Sequence, residues 1–369
     1  MKIIYVYADQ LQEINTSIFL AVEPTKAINR SGKHRAYCIH ISHFLQDHPY
    51  SVSLCESADV IVIERNFLQE LFPKIEYWKN KGKLVVGVFD DGYHLISNTN
   101  ASFPYWNMGK VKKQVTKRNG EVKEEDFYIT PPPIESFKQA LGMFHGFMCP
   151  SKVLVNEFTN YGNGYYNSNR FDVRDYTIIP KLKHNGIVIG GGWSLSHYQS
   201  FEDSGVISAL KRICEARDNV RIFIAGDQRI FNKINVDKEK KVFQPFVTRN
   251  EWPVVLSNLD IGIAPLCGLY DNCRSWIKIA EYMMLKIPFV ASEGKAYQEY
   301  YPYGNFVDNT KNKWEKVLNN MIDNIEEKRK FAKELPYEYA ISQDINTNVE
   351  TILDVYRQIA KNSGVELKD

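Results

Sequence analysis

Short apolar runs alternate with longer stretches of helical spacing along the chain. In the first half the runs are Ile3–Tyr7, Ala58–Ile63 and Leu84–Phe89, each of buried-strand type, with a helix predicted over Phe67–Asn80. Ala36–Leu45, behind the polar Arg30–Arg35 segment, is predicted as a helix. Periodicity fails from Asn98 to Pro133. It returns with a strand at Phe147–Cys149, a helix cap at Ser151 and a helix over Lys152–Thr159, after which Tyr161–Tyr176, rich in Gly, Asn and Tyr, predicts a loop. A second series places strands at Gly186–Gly192, Val220–Ala225, Lys241–Val247, Ile261–Leu266, Phe289–Ala291 and Phe306-Val307, and helices at Glu202–Ala216 and Glu251–Ser257. Helices over Asn312–Leu335 and Asn348–Lys361 close the chain. Strands alternating with helices make parallel sheets, so the pattern predicts an α/β chain of two Rossmann-like halves in tandem, joined near residues 181–185. The boundaries expected are 1–181, 182–345 and a C-terminal helix over 346–369, which could return to the N-terminal half.

Composition sets the class. At 369 residues the chain exceeds what one hydrophobic core usually serves, and 44% hydrophobic with 24% charged residues is a globular balance. A net charge of +2 gives no case for nucleic acid. Cysteines at 38, 55, 149, 214, 267 and 273 form no Cys-x-x-Cys pair, which suits neither a disulfide framework nor a zinc site. Met1–Tyr7 is too short for a signal peptide's apolar region, and no apolar run approaches the roughly 18 residues of a membrane span. The expectation is a soluble, cytoplasmic protein.

Candidate chemistry concentrates in Asp271-Asn272-Cys273-Arg274-Ser275-Trp276-Ile277-Lys278-Ile279-Ala280-Glu281-Tyr282-Met283-Met284, a short loop and helix that lead to the strand Phe289–Ala291. At about 100° per residue, Arg274, Lys278 and Glu281 share one arc, while Trp276, Ile279, Ala280, Met283 and Met284 take the other. Asp271 or Asn272 is expected to cap the first turn, placing free N–H groups beside Arg274 and Ser275. Two cations and a hydroxyl at a helix start suit phosphate, and a carboxylate two turns on suits sugar hydroxyls; an ordinary Lys278–Glu281 surface pair is the plainer alternative.

Three other stretches carry chemistry. Gly190-Gly191-Gly192 lets backbone approach a diphosphate, but Leu195 breaks the Gly-x-Gly-x-x-Gly fingerprint and no Walker A lysine follows, which weighs against a dehydrogenase and a P-loop NTPase. Asp90, Asp91 and His94 follow a strand, where ligands of parallel sheets bind; a loop-capping pair is the alternative for the two aspartates. The basic patch from Lys110 to Arg118, followed by acidic Glu121–Asp126, is a solvated excursion or else a contact with an anionic acceptor or a membrane periphery.

Taken together, these motifs resemble the nucleotide-sugar glycosyltransferases of the GT-B fold, and among them the retaining family-four group. The resemblance rests on Ser275-x-x-Lys278-x-x-Glu281-Tyr282 with Pro288-Phe289-Val290-Ala291-Ser292, on Ile189–His197 and on Asp260–Leu266, with weaker pieces at Ala58–Arg65 and Gly82–Asp91. It covers most of the chain outside roughly residues 98–145 and implies transfer of a hexose-type unit from a nucleotide-sugar to a saccharide or glycan acceptor, as in surface polysaccharide synthesis. It also implies retained anomeric configuration and no metal or other cofactor. Glu281 stands where the donor ribose is held, and Lys278, Ser275 and Arg274 where the diphosphate lies. Gly191, Gly192 and His197 would face that diphosphate from the other side, and Lys278 with Asp90 or Asp91 would serve the reaction. The family pattern carries a further glutamate near the sugar, and here that position is Cys273. A nucleotide-sugar epimerase of the same fold and a non-catalytic binding module are the alternatives.

Overall fold

The computed structural model describes residues 1–10, 15–117, 120–181, 184–310 and 312–368. The chain divides into two compact units, each assembled from more than one stretch of sequence. The first comprises Met1–Ala8, Ile28–Ser168 and Glu350–Asp369; the second comprises Asp9–Ala27 and Asn169–Val349.

The first unit is built on a six-stranded parallel sheet. Its strands are β1 (Lys2–Tyr7), β2 (Arg35–His40), β3 (Val60–Glu64), β4 (Leu84–Val88), β7 (Gly146–Cys149) and β8 (Gly164–Tyr166), in the order β2-β1-β3-β4-β7-β8. Every residue of β3 and β4 is buried, because helices cover both faces of the sheet. Between β4 and β7 the chain makes an exposed antiparallel hairpin of β5 (Lys110–Thr116) and β6 (Val122–Tyr128).

Two sequence expectations are corrected here. Ala36–Leu45 is not one helix: Ala36 to His40 belong to β2, and the helix is only Ile41–Leu45, begun by the His40 imidazole, which accepts the Ser42 N–H. At this sheet edge the Asn29 side chain binds both backbone groups of Ala36, at 2.8 and 2.9 Å, completing what a neighbouring strand would otherwise satisfy. Residues 161–176 are not simply loop, since they add β8 to the sheet and a helical turn at Arg174–Thr177. The stretch without periodicity holds the hairpin, whose two faces are both wet and so leave no apolar alternation to read.

The last helix, Val349–Ser363, buries Ile352, Leu353, Tyr356, Ile359 and Ala360 on one face, and from Glu350 onward it belongs to the first unit. Tyr356 shares a buried 2.8 Å hydrogen bond with Tyr5 of β1, and the Ser363 hydroxyl donates to the carbonyl of His145.

The second unit repeats the parallel plan with β9 (Ile187–Trp193), β10 (Val220–Gly226), β11 (Lys241–Gln244), β12 (Ile261–Ala264), β13 (Phe289–Ser292) and β14 (Asn305–Val307). Their order is β11-β10-β9-β12-β13-β14. The chain winds one way from β9 through β11, then crosses back to β12, so the reversal falls between β9 and β12. A crevice at such a reversal, beyond the carboxyl ends of the strands, is where parallel sheets bind ligands. The helix expected over Glu202–Ala216 divides at Gly205, whose φ of 81° is left-handed, into Tyr198–Asp203 and Val206–Ala216. The predicted junction near 181–185 includes residues 182 and 183, which lie outside the described residues.

Candidate functional site

The residues singled out in the second half gather at the β9/β12 reversal. The chain leaves β12 through Pro265-Leu266, makes one helical turn at Gly268–Asp271, and enters the helix Ile277–Met284 with Trp276 at its N-cap position. The helix therefore starts later than the sequence suggests, and neither Asp271 nor Asn272 caps it. Asp271 is buried in the preceding turn, where its carboxylate accepts the Cys267 N–H at 2.7 Å and the Ser200 hydroxyl and pairs with the Arg274 guanidinium at 3.3 Å. Arg274 and Ser275 precede the helix rather than forming its first turn. Arg274 is further fixed by the Ser196 hydroxyl, at 3.0 Å. The Asn169 amide donates to the Ser275 hydroxyl, and the Asn169 carbonyl accepts the Trp276 indole N–H. Trp276, Ile279, Ala280, Met283 and Met284 are buried, as the periodicity predicts.

Glu281 is fully buried. One carboxylate oxygen, Oε1, accepts the Trp252 indole N–H at 2.8 Å and the Tyr176 hydroxyl at 3.1 Å. Burial pushes its carboxyl upward, opposed by the charges of Lys278 and Arg249 and by those two hydrogen bonds. Lys278, one turn earlier, lies with Nζ 5.6 Å from the centre of the Trp252 ring. Its ammonium is pulled down by burial, with Glu281 opposing and Arg274 adding to the effect. His197, in the short turn after β9, is 6% exposed, and its Nδ1 has no hydrogen-bond partner among the described residues. Burial, reinforced by the positive charges of Arg274 and Lys278, drives its pKa well down and keeps the ring neutral. Arg274, Lys278 and His197 thus form a positively biased cluster next to a deep carboxylate.

The glycines prove to have an internal task. They lie within β9, where the sequence places a strand. A Cβ on Gly191 would come 2.2 Å from the Tyr282 hydroxyl, and one on Gly192 would come 1.9 Å from the Trp252 ring. The space left by their missing side chains is filled by the protein's own aromatics. Cys273 is buried in the turn before the helix. Close by, a pocket of 210 Å³ opens beyond β12 and β13, bordered by Cys267, Asp271, Asn272, Glu293, Tyr297 and Asn309, among others.

Asp90 and Asp91 belong to the other unit. Asp90 pairs with the Arg65 guanidinium at 3.3 Å and accepts the Tyr93 hydroxyl at 3.4 Å; the carbonyl of Asp91 accepts the Tyr93 N–H. Tyr93 stacks on Trp106, 4.0 Å between ring centres, so the pair sits on an aromatic platform. His94 binds Glu157 at 3.2 Å. In the basic patch, Lys110 pairs with Asp126 at 2.7 Å and Lys112 with Glu124 at 2.6 Å across the hairpin, so the acidic strand neutralises much of the charge offered to an acceptor or membrane. Arg118 lies outside the described residues.

Among the described residues, one group of carboxylates has metal-ligand spacing: Glu23, Asp172 and Asp175. Each already faces a cation, Lys26, Arg174 and Arg249 respectively, and three charges meet three. Sequence reasoning missed Trp252, Tyr176 and Arg249. The Thr248-x-x-Glu251 capping pair ahead of Trp252 is legible and forms, with Glu251 accepting from both the N–H and hydroxyl of Thr248, but nothing local says where the indole points.

No family model and no curated protein matches the chain. Solved structures do. HepE of Anabaena, crystallised with UDP and glucose, superposes with a TM-score of 0.66 at 13% identity, over 97% of this chain and 100% of that one. Sucrose-phosphate synthase of Thermosynechococcus elongatus gives 0.62 at 10% identity, over 97% and 98%. A Listeria monocytogenes protein described as a UDP-N-acetylglucosamine 2-epimerase gives 0.56 at 10%, over 100% and 98%. The chain has the GT-B fold. At such identities the GT-B likeness is one of architecture, and the chemistry has to be argued from the residues at the β9/β12 reversal.

Proposed function

We propose that the chain is a glycosyltransferase that moves a hexose-type sugar from a nucleoside-diphosphate donor to a saccharide or glycan acceptor. The observation that carries this reading is the arrangement at the reversal, where a buried carboxylate stands beside Lys278, Arg274 and a neutral His197. A nucleoside diphosphate offers the complementary series of ribose hydroxyls followed by two phosphates. In this reading Glu281 accepts the ribose hydroxyls, and Lys278, Arg274, Ser275 and His197 meet the diphosphate. The sugar extends toward the pocket bordered by Asp271 and Asn272, past Cys273. An acceptor hydroxyl oxygen bonds to the anomeric carbon as the bond to the β-phosphate oxygen breaks. The nucleoside diphosphate leaves with the electron pair, and the acceptor proton is released. Lys278 and Arg274 lower the barrier by stabilising the charge that grows on the leaving group, while Asp90 or Asp91 would orient the acceptor. Because side-chain cations supply that countercharge, transfer is expected without added divalent metal, and the family resemblance argues for retention of configuration.

HepE binds UDP and UDP-glucose, which makes UDP-glucose the first donor to test. Incubation with UDP-, GDP- and ADP-sugars in the presence of a chelator, with oligosaccharide acceptors, should release nucleoside diphosphate from one donor. Nucleotide binding without release from any donor would favour the non-catalytic module, and appearance of an epimerised nucleotide-sugar would favour the epimerase to which the Listeria fold relative points.

A further inference from the structure

Trp252 touches three parts of the candidate site at once. Its indole N–H lies 2.8 Å from Glu281 Oε1, its ring lies 5.6 Å below Lys278 Nζ, and its edge occupies the space a side chain on Gly192 would need. It is itself immobilised, 6% exposed at the start of the helix Trp252–Leu256, with Pro253 next. The indole N–H and the ring face thus each meet a different charged group of the candidate site. We infer that Trp252 is a positioning residue that holds Lys278 and Glu281 in the one geometry that fits a nucleoside diphosphate, an assignment that rests on the donor reading above.

A specific consequence follows for Glu281. Oε1 takes both the indole N–H and the Tyr176 hydroxyl, which uses its two acceptor positions. Oε2 is therefore the oxygen presented to ligand hydroxyls, and the indole N–H fixes which oxygen that is. The groups facing this carboxylate are Lys278 on its own helix, Arg249 and Trp252 from the segment after β11, and Tyr176 from the turn Arg174–Thr177.

Trp252→Phe keeps an aromatic ring at this position but removes the N–H, together with the outer edge of the indole that lies against Gly192. Calorimetric titration of the full chain with UDP, GDP and ADP from pH 5 to 8 should show affinity for the preferred nucleotide falling by about tenfold, the scale of a hydrogen bond to a charged group. The acid limb of the affinity curve should also move to higher pH, because the carboxylate loses a donor that favours its charged form. Tyr176→Phe removes the other donor to the same oxygen and should shift the limb in the same direction, which covers the case in which Trp252→Phe does not fold. If the wild type binds a nucleotide and both folded variants match its affinity and pH profile, Trp252 is packing alone. Loss of affinity with an unmoved acid limb would also overturn the assignment. A wild type that binds none of the three nucleotides overturns the donor reading and this inference together.

Discussion

At the scale of single residues, the site is decided by what burial does to charge. Glu281, fully buried, and Lys278, partly buried, lie one turn apart, so each stabilises the other's charged form while burial works against both. Glu281→Ala should abolish measurable nucleotide affinity in titration calorimetry, and variant affinity equal to wild type would remove the ribose assignment. Lys278→Ala should lower turnover by roughly 10²-fold, the cost of one transition-state contact, as read from initial rates at saturating donor. These two residues are legible in the sequence because their spacing and the strand after them form a local pattern. Trp252 and Tyr176 are not, since their contacts reach Glu281 across 29 and 105 positions and periodicity carries no such information.

Among the elements, the buried strands were the readable part. β3 and β4 are uniformly apolar apart from Glu64, as strands covered on both faces must be. The run at Ala36–Leu45 was misread because a short apolar segment fits strand and helix alike until an edge partner such as Asn29 settles it. The glycines of β9 show a sequence signal with a different cause from the one it suggests: they admit Tyr282 and Trp252 against the sheet. Gly192→Ala should therefore destabilise the fold by about 1–3 kcal/mol, as overpacking does, measured as a lower urea midpoint with nucleotide absent. The same substitution in an open phosphate loop would leave that midpoint close to wild type. In the hairpin, breaking an exposed pair such as Lys112–Glu124 should change stability by no more than about 1 kcal/mol, since water screens both partners.

For the whole molecule, pH links the fold to two histidines, His197 in the candidate site and His145 in the first unit. His145 Nδ1 accepts the Val85 N–H, and burial together with the Lys79 charge pulls its pKa down to about 4 from 6.5. A depressed folded pKa means that the unfolded chain takes up the proton first. Stability is fully present above pH 6.5 and declines as pH falls toward 4. Urea midpoints measured at pH 7.5 and pH 5 should differ more for wild type than for His145→Gln. An equal difference would place the acid sensitivity elsewhere. The tandem architecture was legible from strand–helix alternation, but the passage of Asp9–Ala27 into the second unit was not, because membership of a unit is a matter of long-range packing.

The bond between Tyr5 and Tyr356 joins residues 351 positions apart in the chain. During synthesis, Tyr5 of β1 leaves the ribosome 351 positions ahead of its partner in the helix Val349–Ser363. At roughly 5–20 residues per second, that strand waits tens of seconds for its partner. The second unit, whose sequence ends at Val349, has all its residues earlier. The half that begins first thus finishes last, and its exposed first strand is the surface a chaperone would have to shield in the interval.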